Sequence, residues 1–372
     1  MAMKTLRDVF REALRDMGVE SLGALSKRFR KPMDKLQEMA LEIINGKGAV
    51  FRVPERTLVA WDLEGNRVEG SYYAYAPLCM KDKFEMVLSP EGLLSKLPEW
   101  PYFIIDLYHW DRHSQREKGR LCLQVNQSYS VLRRYLTGRE LTVTWANDEF
   151  RRMFHGPLER ITVHEGPTAE FLKENGINEA ILLDPWAEKV LSREDFNAKA
   201  FIIGGIVDTG GTKRKTTPKI AEEMEGAGIQ VHRRKITLKG DVIGVPDRIN
   251  RILGIVLTMM VEGKPMDEAV YEFQEPRHAR WRLRKELPKH AIRYRVDGKL
   301  YRVVEKELFD YYSGWLKIRP EDFTKVLREL NLIALEQRRI HHLNKISSPR
   351  IMHGKVYRVI LLKKAAMLCY NC

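Results

Sequence analysis

Apolar and polar positions divide the chain into three stretches with different spacing. Residues 1–90 begin with apolar residues at helical intervals, which predicts three helices, Thr5–Met17, Ser21–Arg30 and Pro32–Asn45. A β-rich part follows, FRVPERTLVAWDLEGNRVEG, in which LEGN is typical of a turn. Helices followed by a hairpin resemble a winged-helix-like or another small nucleic-acid-binding module.

From about Trp100 to Val270, short apolar runs alternate with amphipathic segments such as Leu121–Leu136 and Pro218–Glu225. The runs are YFIIDL, LTVTW, RITVH, AILLD, AFIIGGIV and KITL. This alternation predicts a largely parallel sheet covered by helices on both faces. The last segment, VPDRINRILGIVLTMMV, is predicted to be an apolar helix that packs against that sheet.

The charge of the chain is concentrated at one end. Of the net +14, residues 271–372 contribute +12, from 23 Lys and Arg against 11 Asp and Glu. A basic module beside a nearly neutral one indicates a polyanion held by the first and processed by the second, although a merely soluble basic surface is an alternative. Arginines interleave there with Trp281, Tyr294 and Tyr301, a composition suited to RNA phosphates and exposed bases.

Composition excludes several other classes. The 372 residues are 44% hydrophobic, enough for two or three folded domains. There is no run of about twenty apolar residues to span a membrane, and the first residues, MAMKTLRDVFREALRDM, lack the continuous apolar core expected of a signal peptide. Four cysteines are too few for a disulfide scaffold, so we expect a cytoplasmic protein.

Two metal-like patterns are incomplete, and we expect no metal ion. His109 and His113 lie four residues apart without the glutamate of H-E-x-x-H, which favours surface or RNA-facing histidines. Cys369 and Cys372 lack the second pair of a zinc site and are interpreted as an incidental tail.

The segment AFIIGGIVDTGGTKRKT, residues 200–216, carries the densest chemistry. Gly204 and Gly205 remove side chains where a ligand or another backbone must come close. Asp208 follows at or just beyond the carboxyl end of the strand, where open α/β sheets bind ligands. A basic cluster able to hold phosphates comes next: Lys213, Arg214 and Lys215. The alternative is a tight turn that Asp208 caps.

Neither common nucleotide motif is present in this segment. Gly205-x4-Gly210 begins like a P-loop, but Gly211 occupies the position of the required lysine. A G-x-G-x-x-G fingerprint for dinucleotides is absent as well.

Three blocks in order resemble the tRNA position-9 purine N1-methyltransferases, a branch of the SPOUT class. The blocks are LQVNQSYSVLRR, then IIGGIVD with its basic cluster, then the apolar helix, within roughly residues 97–266. Gln124 and Arg133 match the Gln and Arg of the family's first block, and Asp208 matches the Asp proposed as general base. Eukaryotic members have T-V-N-Q where this chain has Gly-Val-Pro-Asp at 244–247. The basic C-terminal part lies outside the common core, which suggests an archaeal-type member.

The resemblance implies an α/β fold in which a SPOUT-type trefoil-knotted parallel sheet with flanking helices joins small N-terminal and basic C-terminal α+β domains. The expected domains are an RNA-binding module at 1–92, a SPOUT methyltransferase domain at 93–270 and a basic RNA-binding domain at 271–372. The implied cofactor is S-adenosylmethionine, and its expected binding residues are Leu183, Gly204, Gly205, Leu238, Gly240, Ile243 and Val245.

The implied reaction is methylation of N1 of guanine, adenine or both at tRNA position 9, with Asp208 taking the guanine N1 proton. The resemblance also implies a monomer. The residues expected to contact RNA are Gln124, Arg133, Lys213, Arg214 and Lys215. Two alternatives remain open: a SPOUT methyltransferase acting on another RNA such as rRNA, and an RNA-binding protein without catalysis.

Overall fold

The computed structural model of the chain describes residues 3–25, 34–207, 216–240 and 248–361. Contacts divide the chain into two units, Met1–Ile236 with Asp247–Lys264, and Thr237–Pro246 with Pro265–Cys372. Within the described residues, no helix is both long enough and apolar enough to cross a membrane.

The first unit opens with a six-stranded mixed sheet in the order β4-β3-β1-β5-β2-β6. Its strands are β1 Ser21–Ala24, β2 Gly48–Arg52, β3 Ala60–Asp62, β4 Arg67–Val68, β5 Tyr73–Pro77 and β6 Glu85–Leu88. Its helices are α1 Leu6–Asp16, α2 Lys35–Ile44 and α3 Pro90–Leu94. Helix α1 forms because a capping box of Thr5 and Asp8 starts it and one apolar side is buried, comprising Leu6, Val9, Phe10, Ala13 and Leu14.

The helix predicted for Ser21–Arg30 is wrong where the structure describes it, because residues 21–24 form β1. Strand β1 pairs antiparallel with β3 and parallel with β5, so long-range pairing overrides the local helical spacing. Residues 26–30 lie outside the described part of the chain. The winged-helix-like expectation is also wrong, since this part of the chain forms a six-stranded sheet and not a single hairpin. The other alternative, another small nucleic-acid-binding module, stays a prediction.

The rest of the first unit is built on a six-stranded parallel sheet in the order β12-β10-β11-β7-β8-β9. Its strands are β7 Tyr102–Asp106, β8 Leu141–Thr144, β9 Thr162–Val163, β10 Glu179–Leu183, β11 Ala200–Gly204 and β12 Gln230–Arg234. The helices are α4 Gln115–Leu132, α5 Asp148–Met153, α6 Thr168–Glu174, α7 Thr217–Gly226 and α8 Ile249–Val261. The predicted α/β class with a parallel sheet is thereby confirmed.

One predicted strand in this sheet is displaced along the chain. KITL, residues 235–238, was expected to be a strand, but β12 ends at Arg234 and only Lys235 forms an isolated bridge, to Val190. Strand β12 lies at the sheet edge and is partly exposed along its length. Its sequence, QVHRR, is therefore polar and gives no apolar signal.

The second unit contains a five-stranded sheet in the order β15-β14-β13-β17-β16. Its strands are β13 Ile292–Val296, β14 Lys299–Glu305, β15 Ile333–Leu335, β16 Ser348–Met352 and β17 Lys355–Ile360. Its helices are α9 Met266–Phe273, α10 Pro276–Glu286, α11 Leu308–Ser313, α12 Pro320–Glu329 and α13 Gln337–Ile346.

Two of the aromatic residues expected to meet RNA bases belong to the core of this unit. Tyr294 is 1% exposed, and Tyr301 packs against the same cluster, which includes Ile340 of α13. Because a buried ring cannot stack on a base, the expectation is wrong for Tyr294, whereas Tyr301 is only partly buried. Trp281 remains exposed.

Candidate active site at the carboxyl edge of the parallel sheet

Three neighbouring parallel strands end together at one edge of the sheet. Leu183 of β10 pairs in register with Ile203 of β11, and Gly204 of β11 pairs with Asp106 of β7. The structure therefore brings together Leu183, Gly204 and Gly205, three of the residues expected to bind the cofactor. This is the edge at which open α/β sheets bind their ligands.

Gly205 allows the turn after β11 to touch the end of β7. Its N–H donates to the Asp106 carbonyl oxygen at 2.7 Å. A Cβ at this position would lie 2.7 Å from that same oxygen and 2.7 Å from Leu107 Cδ2. At Gly204 a Cβ would meet only the tips of Ile206 and Ile220, at 3.1 Å. Glycine is therefore required at 205 by backbone approach and less strictly at 204.

A buried carboxylate lies beneath this turn. Asp106 is 1% exposed, and it accepts hydrogen bonds from Thr168 Oγ1 at 2.6 Å and from the Tyr108 amide at 2.8 Å. Burial raises the pKa of Asp106 to about 6, against the opposing effect of these two donors. Thr168 Oγ1 also lies 2.5 Å from Thr144 Oγ1. Asp106 was not among the site residues predicted from the sequence, although an acidic residue that ends an apolar run is a visible signal.

Two buried histidines hold the residues on either side of segment 208–215. His113 Nε2 accepts the amide N–H of Val207 at 3.0 Å, while Nδ1 lies 2.9 Å from the His109 carbonyl oxygen. Accepting at Nε2 requires a neutral ring with its proton on Nδ1. His109 Nε2 lies 3.2 Å from the Thr216 carbonyl oxygen, to which it can only donate.

This arrangement corrects the interpretation of the pair as surface histidines. His109 and His113 are 4% and 5% exposed, and desolvation lowers the pKa of His109. One local feature of the sequence bears on the position of His113. Ser114 and Glu117 form the capping box that begins α4, so His113 lies directly before the start of a helix.

Several of the predicted site residues fall outside the described part of the chain. They are Asp208, Lys213, Arg214, Lys215, Ile243 and Val245, and the tail cysteines Cys369 and Cys372 fall outside it as well.

Gln124 and Arg133, expected to contact RNA, have partners within the protein. Gln124 Oε1 accepts the Ile249 amide at 2.9 Å and so caps the first turn of α8. The guanidinium of Arg133 lies over the ring of Tyr129, 5.2 Å from its centroid. Both side chains therefore have a structural role, whatever their part in RNA binding.

Leu238 and Gly240 belong to the second unit. Leu238 packs against the apolar cluster formed by α10, α11 and α12. Gly240 has a φ of +91°, and a Cβ there would lie 2.6 Å from Glu286 Oε1. Backbone conformation and the neighbouring carboxylate thus explain this glycine within its own unit.

A cleft of about 1320 Å³ lies at the opposite, amino edge of the parallel sheet. Tyr102, Glu140 and Lys199, near the starts of β7, β8 and β11, are among its lining residues. Charges of both signs line it, so it does not suit a polyanion, and its position does not suit the ligand of an open α/β sheet. Among the residues that the structure describes, no group of three His, Cys, Asp or Glu is placed to hold a metal ion.

The fold is shared with solved methyltransferase structures. The crystal structure of dual-specific Trm10 from Thermococcus kodakaraensis is 67% identical to this chain, covers 71% of it and 99% of the solved chain, and has a TM-score of 0.64. Trm10 of Sulfolobus acidocaldarius, solved in complex with S-adenosylhomocysteine, covers 88% of this chain and 100% of its own at 22% identity and a TM-score of 0.63. The chain thus has the Trm10 fold.

Sequence comparisons give the family. The tRNA (guanine(9)-/adenine(9)-N1)-methyltransferase of Thermococcus kodakarensis is 76% identical over 370 residues, 100% of both chains. The tRNA (adenine(9)-N1)-methyltransferase of Sulfolobus acidocaldarius is 28% identical over 82% of this chain and 99% of its own. Family models match the N domain and C domain of the tRNA (guanine(9)-/adenine(9)-N1)-methyltransferases at 7–96 and 280–365, and tRNA (guanine(9)-N(1))-methyltransferase TRM10/TRM10A at 95–236. This chain belongs to the tRNA position-9 N1-methyltransferase family, which confirms the resemblance.

Proposed function

We propose that this chain transfers a methyl group from S-adenosylmethionine to N1 of the purine at position 9 of tRNA, and that it accepts both guanine and adenine. The observation that carries the proposal is the 76% identity, along the whole length, to a relative named for both bases. The glycine turn at the carboxyl edge of the parallel sheet supports it independently.

The described residues at this edge fit the adenosine part of the cofactor. Leu183 and Ile206 offer apolar surface, and Gly204 offers a strand end without a side chain. Apolar walls and bare backbone are what an adenine ring requires. When bound, the sulfonium cofactor supplies an electrophilic methyl group, so the protein must position the nucleophile and manage one proton.

Asp208 is our proposed general base. Guanine N1 carries a proton that must leave, whereas adenine N1 has a free lone pair and needs no base before attack. Lys213, Arg214 and Lys215 are proposed to hold phosphates beside the target nucleotide, with Gln124 and Arg133 aligning it. For the cofactor we propose the residues that the resemblance implies, namely Leu183, Gly204, Gly205, Leu238, Gly240, Ile243 and Val245.

The finer architecture is part of the same proposal. We propose that the parallel sheet is trefoil-knotted, as in the SPOUT class, and that the chain divides into RNA-binding modules at 1–92 and 271–372 around a methyltransferase domain at 93–270. We further propose that it acts as a monomer in the cytoplasm of an archaeon, without a metal ion.

The test is incubation of the protein with tRNA transcripts and labelled S-adenosylmethionine, followed by nucleoside analysis. Matched transcripts should carry guanine, adenine, cytosine or uracil at position 9. We expect N1-methylguanosine and N1-methyladenosine from the first two and no label in the others. Label elsewhere in the tRNA, or only in rRNA, would refute the proposed target. Absence of cofactor binding by calorimetry would favour an RNA-binding protein without catalysis.

A further inference from the structure

Three strands of the C-terminal sheet carry basic, exposed residues on one side. Strands β13, β17 and β16 are neighbours, and Arg295 of β13 pairs with Val359 of β17, while Arg350 of β16 pairs with Tyr357 of β17. Residues in register share a face, and alternate residues along a strand share it as well. We call this the arginine face, and its residues on these three strands are Arg293, Arg295, Ser348, Arg350, Met352, Lys355, Tyr357 and Val359.

Side-chain contacts agree with the assignment of the faces. Arg295 Nη1 lies 3.7 Å from Met352 Sδ, two strands away on the same side of the sheet. Tyr294, which precedes Arg295, and Ile360, which follows Val359, point to the other side of the sheet, where they form a core with Ile340 of α13. Helix α13 therefore covers this other side. On the side of the arginine face, Val304 of β14 packs into the cluster formed by α10, α11 and α12, so the exposed part of that side is the part on β13, β17 and β16.

The charge on the arginine face is of one sign and unpaired. None of its residues is acidic, and Arg295, Arg350 and Lys355 are exposed. Within the described residues, these three cations have no carboxylate partner within 4.0 Å, unlike Arg338 on α13, which pairs with Glu336 at 2.6 Å. Cations left without carboxylates remain available for an anion.

The geometry suits a phosphate chain. Arg295 pairs with Val359, which pairs with Ser348, so Arg350 lies two strands away from Arg295 and two residues further along. With about 4.8 Å between strands and about 3.3 Å per residue, the two arginines are based about 12 Å from each other. On β17, Val359 lies beside Arg295 and Tyr357 beside Arg350, while Lys355 lies two residues further along, beside Met352. The partly exposed ring of Tyr357 can stack on a base or a sugar. Several cations spread over a flat surface with an aromatic residue among them are typical of RNA backbone recognition.

We infer that the arginine face of the C-terminal sheet binds the phosphate backbone of the substrate tRNA. The inference rests on the proposed function, which makes tRNA the polyanion, and it goes further by assigning the contact to one face of one sheet. Arg295 and Arg350 act there by charge, and they are not among the residues proposed to touch the cofactor or the target base.

The experiment uses the full chain and two double variants that remove equal charge. Arg295→Gln with Arg350→Gln alters the arginine face, whereas Arg339→Gln with Lys345→Gln alters the exposed side of α13. We expect the first pair to raise the Kd for tRNA about tenfold or more at about 100 mM salt and to flatten the slope of log K against log salt by about 1.5 to 2. The second pair should change the Kd less than about threefold.

Two further measurements separate this result from damage to the fold. Binding of S-adenosylhomocysteine and the thermal midpoint should be unchanged, and Arg295→Lys with Arg350→Lys should restore most of the affinity. Equal loss of affinity in both double variants would mean that only net charge matters, and would overturn the inference, as would an unchanged Kd in the first. If position 9 is methylated normally while the first variant binds tRNA like the unaltered protein, this inference fails and the proposed function stands.

Discussion

His113 allows a sharp test of how Val207, the residue before Asp208 in the sequence, is held. Its Nε2 accepts the Val207 amide, and its Nδ1 donates to the His109 carbonyl oxygen. An asparagine places its amide near the position of Nδ1, whereas a glutamine reaches the position of Nε2. His113→Asn therefore removes the acceptor for Val207 and keeps the other contact, while His113→Gln supplies an oxygen that can still accept the Val207 N–H.

The expected size follows from burial. His113 and Val207 are 5% and 8% exposed, so loss of the acceptor costs about 1–3 kcal/mol. If that energy is used to hold the residue next to Asp208, the rate of methyl transfer falls by about tenfold to a hundredfold in His113→Asn, since about 1.4 kcal/mol is one factor of ten. His113→Gln should stay within a few-fold of the unaltered protein.

The assay is single-turnover methylation of a tRNA with guanine at position 9, at saturating tRNA and cofactor, with the affinity for S-adenosylhomocysteine measured alongside. A loss in rate with little change in either affinity is the expected pattern for a positioning residue. Wild-type rates in His113→Asn, or equal losses in the two variants, would refute the argument that the acceptor at Nε2 is what matters.

Three further predictions concern the same edge of the sheet. Gly205→Ala should destabilise the protein by about 1–3 kcal/mol, because its Cβ would lie 2.7 Å from a backbone oxygen, and Gly204→Ala should destabilise it less. Thermal unfolding of the two variants tests this, and equal effects would contradict the geometry. The pKa of Asp106 is raised from 3.8 to about 6, so stability should fall as pH rises from about 4 to about 6, where the unfolded state ionises first. Asp106→Asn should remove that decline, worth up to about 3 kcal/mol, in urea unfolding at several pH values; an unchanged decline would assign it elsewhere. Asp208→Asn should slow methylation of guanine about a hundredfold and of adenine less, and equal small losses on both bases would remove the base role.

Some strands could be predicted from the sequence and others could not. The apolar runs around β7, β8, β10 and β11 follow directly from burial on both faces, so they were visible in the sequence. Strand β12 was not, since an edge strand needs no apolar residues. Strand β1 was mistaken for a helix because its pairing partners lie up to about fifty residues away, and no local pattern encodes them.

The histidines show the same limit at the level of single side chains. His109 and His113 have helical spacing and polar neighbours, and this pattern suits an exposed surface as well as a buried one. What makes them buried is the return of the chain at Val207 and Thr216, about a hundred residues later, which supplies a donor for one ring and an acceptor for the other. A polar residue is buried at tolerable cost only when such partners exist, so its burial depends on the tertiary fold.

For the arginine face, the sequence shows which residues share a side of the strand, and the structure shows which side is covered. The alternation Ile-Arg-Tyr-Arg-Val in β13 already separates an apolar set from a basic set, because successive side chains in a strand point to opposite faces. The spacing does not reveal which set is covered. Helix α13 decides this by packing on the side of Tyr294, so the aromatic residue that composition assigned to RNA belongs to the core. The neighbouring Arg295 is left facing outward, and the same alternation that buries the tyrosine therefore presents basic side chains, without an acidic one on these three strands, to a polyanion.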